Sequence, residues 1–194
     1  MNSDFQRFSA RANVDANLGK HVTVGLNISP SFSIRNLAES EGHFNTGIIT
    51  HSYLVSPIPT VYQADGSFTP SITSPGLFVN ANPANELVNT TNYVNDIRAL
   101  TNIYAGVEIM PGLKFLTTFN ADLLVTTQDK FTPSYVGGFR NPPPTLATGS
   151  NFSSRTFNWL SENTLTYGKT INKDHRFTVM GAYSVQKKLI KPPR

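Results

Sequence analysis

From Phe8 to Leu18 the chain alternates without a break. Phe8, Ala10, Ala12, Val14, Ala16 and Leu18 share one parity, and Ser9, Arg11, Asn13, Asp15 and Asn17 the other. Successive side chains of a strand point to opposite faces, so this pattern predicts a strand with one apolar and one polar face. Gly19-Lys20 marks a turn, and Val22, Val24, Leu26, Ile28, Phe32 and Ile34 then alternate with His21, Thr23, Asn27, Ser29, Ser31, Ser33 and Arg35. The two runs predict a long-armed hairpin.

A second hairpin is expected from about Val94 to Val125. Ile97, Ala99, Ile103, Ala105, Val107 and Ile109 lie on its apolar face, then Leu113, Phe115, Phe119, Ala121, Leu123 and Val125 after a turn at Pro111-Gly112. Arg98, Asn102, Glu108, Lys114, Asn120 and Asp122 take the other face. A third is expected from about Thr156 to Gln186, turning between Gly168 and Asp174. Phe157, Trp159, Leu165, Tyr167, Phe177, Val179, Tyr183 and Val185 form its apolar face. Its first arm is the weakest of the six strands, because Ser161 and Asn163 fall on the apolar parity.

These arms equal or exceed the roughly 9 to 11 residues a tilted strand needs to cross a bilayer, whereas strands of soluble sheets usually run to about 5 or 6. The turns within hairpins are short. The links between them, about Asn36 to Tyr93 and Gln128 to Arg155, are long. Short and long links in strict alternation are the mark of outer-membrane barrels, with periplasmic turns and extracellular loops. On that rule the first strand descends to the periplasm and both chain ends lie outside. The charges agree: Arg11, Asp15, Arg98, Glu108, Lys114, Asp122, Glu162 and Arg176 all avoid the apolar parity. A charge facing lipid at the midplane costs about 2–4 kcal/mol for Arg or Lys, and a watery lumen tolerates it. The fold class expected is all-β, an antiparallel transmembrane barrel segment of about six long strands in three hairpins.

Within the first loop His43 to Val55 predicts a short helix ended by Pro57 and Pro59, and Asp65-Gly66 a turn. Asn82 as cap with Pro83 at the first helical position predicts a second helix through Val88. The second loop holds Gly137-Gly138 and an extended, polyproline-like run from Asn141 to Pro144.

Composition narrows the class. Hydrophobic residues are 39% and charged residues 14%, the latter well under the roughly 25% of a soluble domain. No run approaches the roughly 18–20 apolar residues of a spanning helix. The net charge of +4 comes from scattered Lys and Arg, which argues against nucleic acid as a partner. The one cluster, Lys187, Lys188, Lys191 and Arg194, reads as a solvated end. Cysteine is absent, so neither disulfides nor thiolate metal sites exist. The first residues lack the layout of a secretory signal, which suggests a chain that begins inside a longer protein, without plug or closing strand.

Arg7-Phe8-Ser9-Ala10-Arg11-Ala12-Asn13-Val14-Asp15, followed by Val22-Thr23-Val24-Gly25-Leu26-Asn27-Ile28-Ser29-Pro30-Ser31, resembles early barrel strands of the SusC/RagA TonB-linked outer-membrane proteins of Bacteroidetes. Pro57-Ile58-Pro59-Thr60-Val61-Tyr62, Asp65-Gly66-Ser67-Phe68, Asn82-Pro83, Pro111-Gly112-Leu113-Lys114-Phe115 and Glu162-Asn163-Thr164-Leu165-Thr166-Tyr167 are similar to stretches that family carries in this order. The ending from Lys187 to Arg194 departs from it. The resemblance implies a 22-stranded, plugged barrel set in outer-membrane lipid. It implies import of glycan oligosaccharides or peptides with energy from the TonB complex, and a SusD-like lipoprotein lid outside. Six strands alone would leave two unpaired edges that hydrocarbon cannot satisfy, so the isolated chain is not expected to transport.

Candidate chemistry is sparse. Asp122 and Glu162 would share a lumenal surface on neighbouring strands, and paired carboxylates can cleave glycosides, but polar lumen residues are expected anyway. His21, His43, His51 and His175 lack ligand spacing, and Asp65-Gly66 lacks the other positions of a calcium loop. No cofactor, catalytic or metal residue is assigned. Tyr53, Tyr62, Phe68, Phe78 and Tyr93, with Phe131, Tyr135 and Phe139, could stack on sugar rings or meet a lid protein, although loop packing and an aromatic girdle account for them too. The competing readings are a secreted β-sandwich adhesin or carbohydrate-binding module, and a β-rich glycosidase.

Overall fold

A computed structural model describes residues 3–38, 47–72, 79–138, 140–172 and 175–191. Nine strands and two helices occur among them: β1 (Asp4–Ser9), β2 (Ala12–Leu18), β3 (Val22–Asn36), α1 (Ile48–Leu54), β4 (Ser71–Ile72), β5 (Asn80–Ala81), α2 (Pro83–Asn89), β6 (Thr91–Met110), β7 (Leu113–Thr132), β8 (Thr148–Ile171) and β9 (His175–Lys191). Seven strands form one sheet in the order β1-β3-β6-β7-β8-β9, with β2 also on β3, and β4 and β5 form a separate two-stranded ladder. A sandwich needs a second large sheet to cover the first, and the described residues contain none.

Contacts along the chain gather into two compact units, 7–33 with 96–126 and 153–194, and 1–6 with 34–95 and 127–152. In the first unit β2 and β3 pair antiparallel with Val14 opposite Leu26 and Asn13 opposite Asn27, so like faces like across the hairpin. The expected strand from Phe8 to Leu18 is in fact broken at Ala10 and Arg11. Continuing the register of β2 and β3 brings Ala10 opposite Pro30, whose carbonyl accepts from the Ala10 N–H at 3.1 Å. Proline has no N–H to return, and the ladder is interrupted there.

The third hairpin is longer than alternation alone suggests. β8 and β9 pair from Arg155 opposite Lys191 to Ile171 opposite His175, so Gly168 to Ile171, expected in the turn, lie in the strand. The arm with the weakest pattern, β8, is the longest strand, at 24 residues. Its polar intruders Ser161 and Asn163 stand opposite Val185 and Tyr183, which supply the apolar contact from across the pair.

Three glycines hold turn conformations closed to most side chains. Gly19 (φ 74°) and Gly112 (φ 84°) close the first two hairpins, and Gly66 (φ 84°) sits in the turn expected at Asp65-Gly66. Proline followed by a glycine with positive φ is the type II signature, which explains the tight Pro111-Gly112 connection.

In the second unit α2 begins as expected: Asn82 Oδ1 accepts from the Ala84 N–H at 3.0 Å and Pro83 occupies the first turn. The other helix is shorter than His43–Val55, spanning Ile48–Leu54. Its N-cap is Gly47, which offers no side-chain cap, and the His43 to Thr46 part lies outside the described residues. The second link is shortened to 133–147, because β7 and β8 run on through Thr132 and from Thr148, where Asn151 donates to Asp129 across the strands. In that link the Pro143–Pro144 peptide is cis.

Candidate functional site

The sheet of the first unit has two chemically distinct faces. Even-numbered positions of β6 and β7 and odd-numbered ones of β2 and β3 build a hydrogen-bonded polar face. Asn27 passes its amide to Asn102 at 3.0 Å, and Asn102 passes its own to Asn120 at 2.7 Å, a ladder across β3, β6 and β7. Beside it Arg98 grips both oxygens of Asp122, each at 2.9 Å. Tyr104 reaches Asp15, Thr126 donates to Asp96, and Thr23 donates to Asn17. Arg11 Nε meets Ser29 at 3.3 Å.

A concavity of about 570 Å³ lies on this face, with Arg11, Asn13, Asn27, Asn102, Asp122 and Gln186 in its lining. Its chemistry is that of amides and paired charges, suited to weak, replaceable hydrogen bonds with a solute. Glycosidase chemistry needs two carboxyl groups flanking a bond. Asp122 is instead committed to Arg98.

The opposite face is apolar and open. Ile97, Ile103, Ile109 and Phe119 are each about half exposed, and Phe119 stacks on Trp159 with ring centroids 6.1 Å apart. A soluble sheet would bury such a face, whereas lipid leaves it without cost.

The second unit is held by asparagines. Asn80, Asn82, Asn85 and Asn92 are buried, and each side chain finishes a loop's hydrogen bonding. Asn82 donates to the Val61 carbonyl at 2.8 Å, Asn85 to the Tyr135 carbonyl at 2.8 Å, and Asn80 accepts from the Arg140 N–H at 3.2 Å. Gln128 reaches Asn92 at 2.7 Å. His51, buried in α1, sits 3.5 Å from Glu86 of α2.

Of the loop aromatics, Phe68 and Tyr135 come together on a second concavity of about 560 Å³, with Pro143, Pro144, Asn85 and Asn89. Tyr62 stacks behind Phe68 at 5.0 Å. Tyr53, Tyr93 and Phe131 are exposed and do not line it. Phe78 and Phe139 lie outside the described residues, as does His43. His21 sits at the first turn, its carbonyl accepting from the Glu108 N–H, and His175 begins β9. No group of three potential metal-binding side chains occurs among the described residues. The asparagine ladder and the Asn85–Asn89 pair were not singled out by sequence. Their signal was present as asparagine on the polar parity of successive strands and at an i,i+4 spacing in α2.

No family model matches the chain. It is 32% identical over 195 residues to TonB-dependent receptor P3 of Formosa agariphila, covering 96% of this chain and 18% of that protein. TonB-dependent receptor P26 of the same organism is 27% identical over 95% of this chain and 18% of its own length. The chain thus spans about a fifth of the curated relatives it matches. Among solved structures, the RagAB peptide transporter superposes with a TM-score of 0.75 at 17% identity, over 96% of this chain and 20% of that one. The RagAB peptide importer in its closed-closed state gives 0.72 at 17% identity, over 97% and 22%. Long antiparallel strands, an open apolar face backed by a hydrogen-bonded polar one, and agreement over nearly all of this chain lead to one assignment: the chain is a barrel segment similar to part of the TonB-dependent receptors, with the fold of the solved RagAB chains.

Proposed function

We propose that the chain forms part of the wall and outer mouth of a TonB-dependent outer-membrane transporter. That transporter would import oligosaccharides or peptides together with a SusD-like lipoprotein. One observation carries this reading: the sheet keeps lipid-compatible residues on one face and a continuous network of amides, hydroxyls and paired charges on the other. The apolar face of β6 to β9 meets lipid. The polar face meets the water-filled interior, where Asn27, Asn102 and Asn120 satisfy one another and leave a wall that wets without holding a solute tightly.

No bond is broken in this role. The wall contributes shape and exchangeable hydrogen bonds, and TonB-derived energy enters through a plug segment. The concavity at Phe68 and Tyr135 offers flat apolar rings beside amides, a combination that suits a sugar ring or a prolyl peptide and equally the surface of a lipoprotein lid. The solved neighbours are peptide transporters, which favours peptide as the first cargo to try.

The test is uptake of labelled peptides and oligosaccharides by cells whose transporter carries this wall segment. Asn102→Leu with Asn120→Leu should lower uptake while the amount of protein in the outer membrane stays constant. Unchanged uptake, or protein that fractionates away from the outer membrane, would refute the reading.

A further inference from the structure

The register of the third hairpin gathers cations on the parity that is apolar along most of its length. Arg155 of β8 stands directly opposite Lys191 of β9, and Trp159 opposite Lys187. All four occupy the parity of Phe157, Tyr167, Val179, Tyr183 and Leu189, so they belong to the apolar face. β8 and β9 carry no acid on that parity, and no ion-pair partner for the three cations exists among the described residues. Like charges directly across a strand pair repel, so Arg155 facing Lys191 is unfavourable unless an anion joins them.

Their height is specific. Lys187 lies twelve positions beyond His175, which follows the short turn. At about 3.3 Å per residue and a tilt near 40° that is ~30 Å along the membrane normal, just past an apolar band ~25 Å tall. Trp159 falls at the level of an interfacial girdle, and the three cations flank and surmount it at the long-loop end. Long basic side chains there reach from an apolar surface to headgroup phosphates.

Resting on the wall reading above, we propose that Arg155, Lys187 and Lys191 form a lipid site: a cationic clamp for the phosphate of an outer-leaflet lipid headgroup, with Trp159 against its upper acyl chain. The ion pairs formed would offset the Arg155–Lys191 repulsion and hold the upper part of the β8–β9 pair at the membrane surface. Lys188, on the opposite parity facing Asn158, takes no part.

Trp159 is the single tryptophan of the chain and therefore a built-in reporter. The whole transporter that carries this segment, with tryptophans elsewhere replaced by phenylalanine, is reconstituted in phosphatidylcholine bilayers with a minor fraction of phosphatidic acid, and bromine is placed on the acyl chains of one lipid or the other. Quenching of Trp159 by brominated phosphatidic acid should exceed its bulk share by roughly fivefold, the selectivity of one near-surface cation, or more. Combined Arg155→Gln, Lys187→Gln and Lys191→Gln should restore the bulk ratio, while quenching by brominated phosphatidylcholine shows the variant still inserted. Lys188→Gln should change nothing.

Quenching in proportion to bulk composition would overturn the clamp and leave the wall reading standing. Displacement of phosphatidic acid by inorganic phosphate would overturn the lipid assignment in favour of a free-phosphate site. Absence of quenching by either brominated lipid would overturn the wall reading itself.

Discussion

Tyr104 lies across Gly25 to give its hydroxyl to Asp15 at 2.6 Å, tying β6 to β2 over the intervening strand. A Cβ on Gly25 would stand 2.2 Å from the ring, so the glycine is the slot in which the tyrosine lies. An aromatic ring covering a strand glycine restores the packing that glycine lacks. Gly25→Ala should therefore evict Tyr104 and cost about 1–3 kcal/mol, as overpacking does. Tyr104→Phe should move stability the same way, and the double variant should be less than additive, since both lose one contact. Thermal unfolding in detergent, followed by circular dichroism, decides it; a neutral Gly25→Ala would show that the ring does not need the slot.

Turn glycines separate two sources of strain. Gly112 has positive φ, and an added Cβ would approach the Gly168 carbonyl oxygen to 2.2 Å, a backbone atom that cannot swing aside. Gly19 has positive φ with open space around it. Gly19→Ala should cost about 1–2 kcal/mol for the left-handed backbone alone, and Gly112→Ala distinctly more. Equal losses in the same unfolding assay would mean that the 112–168 approach is unimportant.

In the second unit Asn82 serves two masters, capping α2 and closing the Val61 carbonyl. Asn82→Ala removes a cap and strands a buried acceptor, for an expected loss of about 2–3 kcal/mol. Asn82→Asp keeps the cap but loses the donor, and should fall between. Limited proteolysis across 56–90 should speed up in that order, and cleavage unchanged from the parent would contradict the assignment.

Acid should loosen the turn at Asp65. Its carboxylate accepts from the Ser67 hydroxyl at 2.7 Å and the Ser67 N–H at 2.9 Å, and these bonds hold its pKa below the ordinary value. Because the folded value is the lower one, the stabilisation is complete above the unfolded carboxylate range and fades as pH drops through the depressed value. An acid titration read from the neighbouring Tyr62–Phe68 ring pair should show this step, and Asp65→Asn should abolish it. A step that persists in the variant would assign the titration elsewhere.

Much of this fold was legible because strand parity is binary, and lipid and water punish errors on either face. Asn82 as cap, Pro111-Gly112 as turn and the six long arms follow from rules acting over a few residues. What was not legible depends on partners. The break at Ala10 is caused by Pro30 across the sheet, twenty residues away in sequence. The outer ends of β7 and β8 have polar residues on both faces, so no alternation betrays them. Tyr104 and Gly25 are unremarkable apart, and become a pair only once β3 and β6 are neighbours. The aromatic loop residues divide similarly: Phe68 and Tyr135 meet because Asn85 fastens the Tyr135 carbonyl to α2.

The chain's lack of cysteine lets its two faces be probed one residue at a time. Single cysteines at Asn102, Asn120 and Asp122 on one face, and at Ile103, Phe119 and Leu123 on the other, are labelled with an environment-sensitive probe in the outer membrane. The first three should react with a water-soluble thiol reagent and resist lipid-phase quenchers, and the second three should do the reverse. The same response at both sets would contradict a wall with lipid on one side and water on the other.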